Sequence, residues 1–118
     1  MNRQLTGCFG LLFAISIAIA APPASDEIGQ HELGTVGNPV RAIGTEGGRE
    51  YIESLDCDNG AIPEYRRDVT TVVGPYGNSL EKYVMRCEAD TVLMVDIFVD
   101  PNHEETITTP VAGFTSWL

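Results

Sequence analysis

The sequence is poor in the residues from which catalytic and metal centres are usually built. It contains two histidines, three cysteines and one tryptophan, and no pair of cysteines has the C-x-x-C spacing typical of zinc modules. A serine hydrolase needs a histidine base and a serine in a strained G-x-S-x-G turn. The segment Gly77-Asn78-Ser79-Leu80-Glu81 lacks the second glycine of that turn. We therefore expect no catalytic residue and favour a non-catalytic protein over an enzyme.

Positive charge is also scarce. Seventeen acidic residues stand against seven basic ones, so the net charge is −10. A chain with this charge is repelled by nucleic-acid phosphates and by anionic lipid surfaces. The composition thus excludes a nucleic-acid partner and favours a soluble, acidic domain.

One long apolar run occurs, from Phe9 to Ala20, and Arg3 precedes it. The run is shorter than the roughly 20 apolar residues that span a bilayer. Ala18 and Ala20 occupy the small-residue positions that signal peptidase recognises. Residues 1–20 are therefore predicted to be a cleaved signal peptide, which implies an exported protein, periplasmic or secreted, without a membrane anchor after cleavage.

The remaining chain divides into two parts by composition. Residues 21–39 are rich in proline, glycine, serine and acidic residues, which predicts a flexible leader. A histidine in such a leader, His31, is poorly placed for catalysis. Residues 40–118 are long enough for a single globular domain and too few for two.

Two cysteines, Cys57 and Cys87, remain after the signal peptide is removed. In an oxidising compartment an isolated pair of cysteines usually forms a disulfide. The sequence therefore predicts a Cys57–Cys87 bond.

Strand patterns dominate the predicted domain. Residues 65–73 contain a run of β-branched residues, and Gly74-Pro75-Tyr76-Gly77-Asn78 is a strong turn signal. Residues 80–87 alternate, with Tyr83, Met85 and Cys87 on one face. Residues 91–99 are apolar on both faces, so this strand is expected to need cover on both sides.

The segment from Arg49 to Cys57 is compatible with either a helix or a strand, because its apolar residues fit both periods. Cover for the sheet could come from this segment as a helix, from residues 110–118, or from a second subunit. We predict an α+β fold: a small, β-rich antiparallel sheet of about four strands with one short helix and one disulfide.

Three motifs together resemble small exported bacterial proteins of uncharacterised function. They are the Gly74-Pro75-Tyr76-Gly77 turn, the strand from Tyr83 to Cys87, and the Asp96-x-Phe98 segment. The resemblance covers about residues 40–103. It implies an exported location and a fold of this class, and it implies no activity.

Four residues near the end of the last strand form a candidate metal site: Asp96, Asp100, His103 and Glu104. Carboxylate and imidazole groups of this kind suit a divalent cation, and paired carboxylates suit acid–base hydrolysis. The competing interpretation is an ordinary solvated strand end followed by an acidic turn. No other cofactor is expected.

Aromatic residues next to arginine are common at protein interfaces. The candidates are Tyr65, Arg66, Arg67, Tyr76 and Trp117, although Trp117 fits better as a residue that closes a small core.

The function hypothesis is a non-catalytic exported module that binds another protein or is structural in the cell envelope. The alternative is a divalent-cation-binding domain or weak metal-assisted hydrolase. The partner and the oligomeric state are left open.

Overall fold

The computed structural model of the protein describes residues 25–118. The predicted signal peptide, residues 1–20, and the start of the predicted leader lie outside the described residues. The described part contains two helices and six strands: α1 (Ser25–Gly29), β1 (Val40–Arg41), α2 (Gly44–Glu53), β2 (Leu55–Cys57), β3 (Glu64–Asp68), β4 (Glu81–Cys87), β5 (Leu93–Asp100) and β6 (Phe114–Ser116).

Four of the strands form the main sheet, in the order β1-β5-β4-β3. The β3–β4 and β4–β5 pairs are antiparallel, whereas β1 lies parallel to β5, with Val40 opposite Val99. Strands β2 and β6 form a separate antiparallel ribbon. The predicted α+β class with a sheet of about four strands is confirmed, and the parallel β1 makes that sheet mixed instead of purely antiparallel.

The inner face of the main sheet is the face that carries the core. Its alternation in β4 is as predicted, because Tyr83, Met85 and Cys87 are all buried. Ile97 and Val99 of β5 extend this face. Helix α2 and the β2–β6 ribbon cover it with their own buried side chains: Tyr51, Ile52, Leu55, Cys57 and Phe114.

The segment that fitted both a helix and a strand contains both. Helix α2 ends at Glu53, and β2 starts at Leu55. The helix also begins earlier than its apolar residues indicate, at Gly44, because glycines occupy the turns that touch the sheet. A Cβ on Gly48 would lie 3.0 Å from Val99 Cγ1, so glycine allows the close approach despite its low helix propensity.

The chain between β3 and β4 differs from the prediction. Strand β3 ends at Asp68, and the β-branched residues that follow form a long hairpin connection instead of more strand. Val69 is 91% exposed, since no neighbouring strand lies beside it in the described chain. The predicted turn at residues 74–78 is present: Gly77 has a φ of +84°, and the Gly74 amide donates to the Asn78 carbonyl.

The outer face of the main sheet, opposite the core, stays uncovered by the described chain over much of its area. Met94 on this face is exposed, and so is Leu93 on the inner face, so the expectation of cover on both sides of β5 is wrong for its first half. Long charged side chains of β3, β4 and β5 lie on the outer face: Glu64, Arg66, Asp68, Lys82, Arg86 and Asp96.

The predicted disulfide is present. Cys57 at the end of β2 and Cys87 at the end of β4 are bonded, with their Cα atoms 5.9 Å apart. The bond joins the ribbon to the main sheet and closes a loop with a sequence separation of 30. Loop-closure entropy alone assigns about 3.6 kcal/mol of stabilisation to a loop of this length.

The packed structure begins on the N-terminal side of Val40. Leu33 packs against the core, the Gly34 carbonyl accepts a hydrogen bond from the Phe98 amide at 2.7 Å, and Pro39 is fully buried. Gly34 adopts a φ of +93°, which favours glycine. The second half of the predicted leader is therefore part of the fold.

Candidate functional site

A buried carboxylate lies where β5 ends. Asp100 is fully buried, and both its oxygens accept hydrogen bonds from the Asn78 side-chain amide, at 3.1 and 3.2 Å. The Asn102 backbone amide donates to Oδ1 at 3.0 Å. These bonds tie the 74–78 turn and the chain after β5 to the end of the main sheet.

His103 is the second member of this cluster. Its Nε2 atom lies 3.1 Å from Asp100 Oδ2 and is buried without a hydrogen-bond partner. The edge of the imidazole meets the Tyr76 ring, with 4.7 Å between centroids.

The other two residues of the predicted metal site do not join this pair. Asp96 points from the outer face towards Lys82, with 3.7 Å between Nζ and Oδ2, and Glu104 is exposed. Among residues 25–118, no group of three or more histidine, cysteine, aspartate or glutamate side chains is arranged to hold a metal ion. The structure brings Asp100 and His103 together and leaves Asp96 and Glu104 apart.

The surroundings of Asp100 explain its burial without a cation. Hydrogen-bond donors from Asn78 and Asn102 point at the carboxylate, and a buried carboxylate is stabilised by such donors. The cation hypothesis for these residues stays a prediction.

The candidate interface residues Tyr65, Arg66 and Arg67 lie on β3, the last strand on one side of the main sheet. Their side chains alternate between the two faces, as the pairing with β4 requires. Arg66 lies on the outer face, with 3.3 Å between Nη1 and Asp68 Oδ2. The three residues that were grouped by sequence are therefore split between two faces of one strand.

Tyr65 projects towards the helix side of the sheet. Its ring lies 6.0 Å from that of Tyr83, and its hydroxyl donates a hydrogen bond to Glu53 Oε2 at 2.6 Å. This hydrogen bond, followed by desolvation, raises the pKa of Tyr65 to about 12. Because 36% of the residue is still exposed, Tyr65 is a fixed aromatic group at the surface.

Arg67 contacts a residue that the sequence analysis missed. Glu81 on the inner face of β4 is 8% exposed, and its Oε2 lies 3.4 Å from Arg67 Nη2 and accepts a hydrogen bond from Thr45 Oγ1 at 2.5 Å. The other oxygen, Oε1, is buried without a hydrogen-bond partner. Glu81 has the same parity as Tyr83 and Met85, and that spacing is the sequence signal that could have identified it.

The side of β3 that faces away from β4 is called the free edge here. In the described part of the chain, residues 62–71 make no backbone–backbone hydrogen bond besides those between β3 and β4. Exposed apolar residues flank the strand, since Ile62 is 86% and Val69 91% exposed. A shallow groove of about 200 Å³ crosses the outer face of β3, β4 and the start of β5, and it is lined by Glu64, Tyr65, Arg66, Val84, Arg86 and Met94.

The last two candidate interface residues lie elsewhere. Tyr76 packs on His103, and Trp117 lies beyond β6, where its amide donates to the Ser54 carbonyl. The Trp117 side chain is 68% exposed. The interpretation of Trp117 as a residue that closes the core is therefore wrong, and its role at an interface stays a prediction.

A membrane-spanning helix is not found in the described chain: none of the helices between residues 25 and 118 is long and apolar enough to cross a bilayer. Comparison of the chain with models of protein families, with curated proteins and with solved structures yields no match.

Proposed function

We propose that the protein is an exported, non-catalytic module that binds a protein partner by adding one of the partner's strands to the free edge of β3. The observation that carries this proposal is the uncovered edge itself. Strand β3 ends the main sheet, and residues 62–71 make no other backbone–backbone hydrogen bond in the described chain.

An uncovered edge presents a row of unpaired backbone groups that another strand can use. In strand addition, backbone hydrogen bonds provide affinity, and the side chains on either face provide specificity. Here Tyr65 offers an aromatic surface on one face, while Arg66 and Glu64 offer charges of both signs on the other. Ile62 and Val69 add exposed apolar contacts at the two ends of the strand.

Export is the second part of the proposal. It rests on the apolar run from Phe9 to Ala20, which has the form of a signal peptide. The Cys57–Cys87 disulfide is compatible with that route, since disulfides persist in oxidising compartments. We place the function in the cell envelope or outside the cell.

Site-specific photo-crosslinking in cells that export the full chain tests the proposal. A photoreactive amino acid at Ile62 or Val69 should give a discrete product heavier than the monomer, because both positions flank the free edge. The matched control is the same amino acid at Glu46, whose side chain is 71% exposed on α2 and should give no such product. Products of equal yield from all three positions, or none from the edge, contradict binding at β3.

A further inference from the structure

We infer that the free edge of β3 is complementary to itself and pairs with β3 of a second copy of this chain. The two strands run antiparallel, and the two main sheets become one continuous sheet with Tyr65 of each copy opposite Tyr65 of the other. This inference rests on the proposed function, because it names the partner of the same edge.

Symmetry limits the registers that two identical strands can adopt. A two-fold axis that relates antiparallel neighbours in one sheet is perpendicular to the sheet, so it keeps each side chain on its face. Residues directly opposite each other also share a face. The two-fold axis must therefore pass next to a residue that lies directly opposite the same residue of the second copy. In the middle of the strand, that residue can be Tyr65, Arg66 or Arg67.

The charges on β3 distinguish these three registers. An axis at Arg66 places that arginine opposite its own copy and Glu64 opposite Asp68, so like charges meet at every charged position along the outer face. An axis at Arg67 places Arg66 opposite Asp68 on the outer face, but on the inner face it places two Arg67 guanidinium groups opposite each other. Like charges directly opposite in a sheet are destabilising.

The register with its axis at Tyr65 avoids these conflicts. It places Glu64 of each copy opposite Arg66 of the other, and this pair occurs twice because of the symmetry. The two Tyr65 rings meet at the centre, each already held by its hydrogen bond to Glu53. Cross-strand pairs of opposite charge and of aromatic residues both stabilise sheets, by roughly 0.2–1 kcal/mol each.

Charged side chains on an edge strand often prevent pairing, especially where lysines repeat along it. The sequence Glu64-Tyr65-Arg66 differs from such an edge because its charges on the outer face alternate in sign. A row of one sign repels a second copy in every register, whereas this row repels only with the axis at Arg66. On the inner face, two tyrosines meet with the axis at Tyr65, whereas two arginines meet with the axis at Arg67. The pattern therefore selects a register instead of blocking the edge.

The pairing is expected to be weak. The strand has five residues, and a pair of such strands buries less than the roughly 1,200 Å² of a standard interface. The net charge of −10 per chain also opposes association, although 0.15 M salt limits that repulsion to a range of about 8 Å. We expect a monomer–dimer equilibrium that depends on protein concentration.

Charge complementation tests the inference. Sedimentation equilibrium of the exported chain, with its disulfide intact, should show a dimer that increases with protein concentration. Arg66→Glu places two carboxylates opposite each other, Glu64→Arg places two guanidinium groups opposite each other, and each variant alone should dimerise at least about tenfold more weakly. An equimolar mixture of the two variants should restore the dimer, since both contacts then join opposite charges.

Two controls keep the result specific. Glu105→Arg makes the same charge change as Glu64→Arg at an exposed residue that follows β5, and it should leave the dimer unchanged. Under mild oxidation Tyr65→Cys should form a disulfide between two copies, whereas Arg67→Cys should not, because Arg67 lies opposite Pro63 of the second copy in this register. A cooperative thermal unfolding transition is required of each variant, as evidence that it is folded.

The outcomes separate this inference from the proposed function. A wild-type chain that stays monomeric at up to about 500 µM overturns self-pairing, as does a dimer that is insensitive to Arg66→Glu or a mixture that is not restored. Photo-crosslinking at Ile62 and Val69 then decides the proposed function separately. A product containing a different protein supports strand addition at β3 without self-pairing, and no product from either position contradicts both.

Discussion

The two edges of the main sheet are built in opposite ways. At one edge, the short strand β1 is buried, and Val40 has no exposed surface. At the other edge, the five-residue strand β3 is mostly exposed, and on the side away from β4 it has no strand beside it in the described chain. The same sheet therefore combines a closed edge with an open one.

Backbone hydrogen bonds close the β1 edge. The amide of Ile107 donates to the Arg41 carbonyl at 3.1 Å, on the side of β1 that faces away from β5. The Gly34 carbonyl satisfies the Phe98 amide beyond the end of β1. The chain thus covers the backbone groups of this edge with its own loops, as sheet proteins commonly do to prevent unwanted pairing.

This difference between the two edges predicts which substitutions lower the stability of the protein and which change only its binding. The closed edge, the inner face and the disulfide are buried, so substitutions there remove packed contacts. Substitutions on the open edge remove exposed charges, which contribute little to stability. Three predictions follow this contrast, from the largest effect to the smallest.

Removing the disulfide should have the largest effect. Replacing both cysteines, Cys57→Ser with Cys87→Ser, should lower the free energy of unfolding by about 2–5 kcal/mol, because the unfolded chain regains the entropy of the closed loop. Equilibrium unfolding in urea measures the loss. Arg66→Ala on the open edge is the control and should change stability by about 0.5 kcal/mol or less. A double variant as stable as the wild type contradicts the argument.

A second measurement tests the bond directly. Intact mass before and after alkylation should detect no free thiol from Cys57 and Cys87 in the exported protein.

Replacing the buried aspartate at the end of β5 should have the second largest effect. Asp100→Ala leaves the donors of Asn78 and Asn102 without their acceptor, so we expect a loss of about 2–3 kcal/mol. Asp96→Ala on the exposed outer face, which removes the contact with Lys82, should cost about 0.5 kcal/mol or less.

The same measurement tests the cation hypothesis. Thermal unfolding of the wild type with a chelator, and then with millimolar calcium or zinc, should give the same Tm if hydrogen bonds alone hold Asp100. A metal-dependent rise in Tm that disappears in Asp100→Asn and in His103→Ala would instead support a cation at this pair.

Alkaline pH should give the third effect. Burial raises the pKa of Tyr51 from 10.0 to about 12, so the folded state holds this proton more tightly than the unfolded state. The resulting stability is complete below pH 10 and is lost as the pH rises towards 12. By pH 11 the loss should be about 1.4 kcal/mol from this residue.

Tyr51→Phe isolates that contribution. The variant loses the hydrogen bond from the Tyr51 hydroxyl to the Thr109 carbonyl and should be less stable at neutral pH by about 1 kcal/mol. The difference from the wild type should shrink between pH 9 and pH 11 in urea unfolding. Tyr65→Phe at the open edge should change the alkaline slope much less, because solvent screens its partly exposed hydroxyl. A difference from the wild type that is constant with pH for Tyr51→Phe contradicts the assignment.

The candidate site was only partly predictable from the sequence. The sequence grouped Asp96 and Asp100 near the end of β5, but it could not show that Lys82 contacts the first and Asn78 the second. Contacts of this kind join residues far apart in the chain. Arg66 and Arg67 were grouped as neighbours, although the pleat of β3 sends them to opposite faces.

Local patterns in the sequence determined the α+β class, the alternation of β4, the turn at residues 74–78 and the pairing of Cys57 with Cys87. Each of these depends on residue type and short spacing, or on there being a single possible pair. The tertiary structure decided what depends on distant neighbours: the helical start at Gly44, the burial of Glu81, the exposure of Trp117 and the end of β3 at Asp68. A strand needs a partner to continue, and a glycine-rich segment becomes a helix where the sheet lies close enough to pack against it, so neither outcome is encoded within the segment alone.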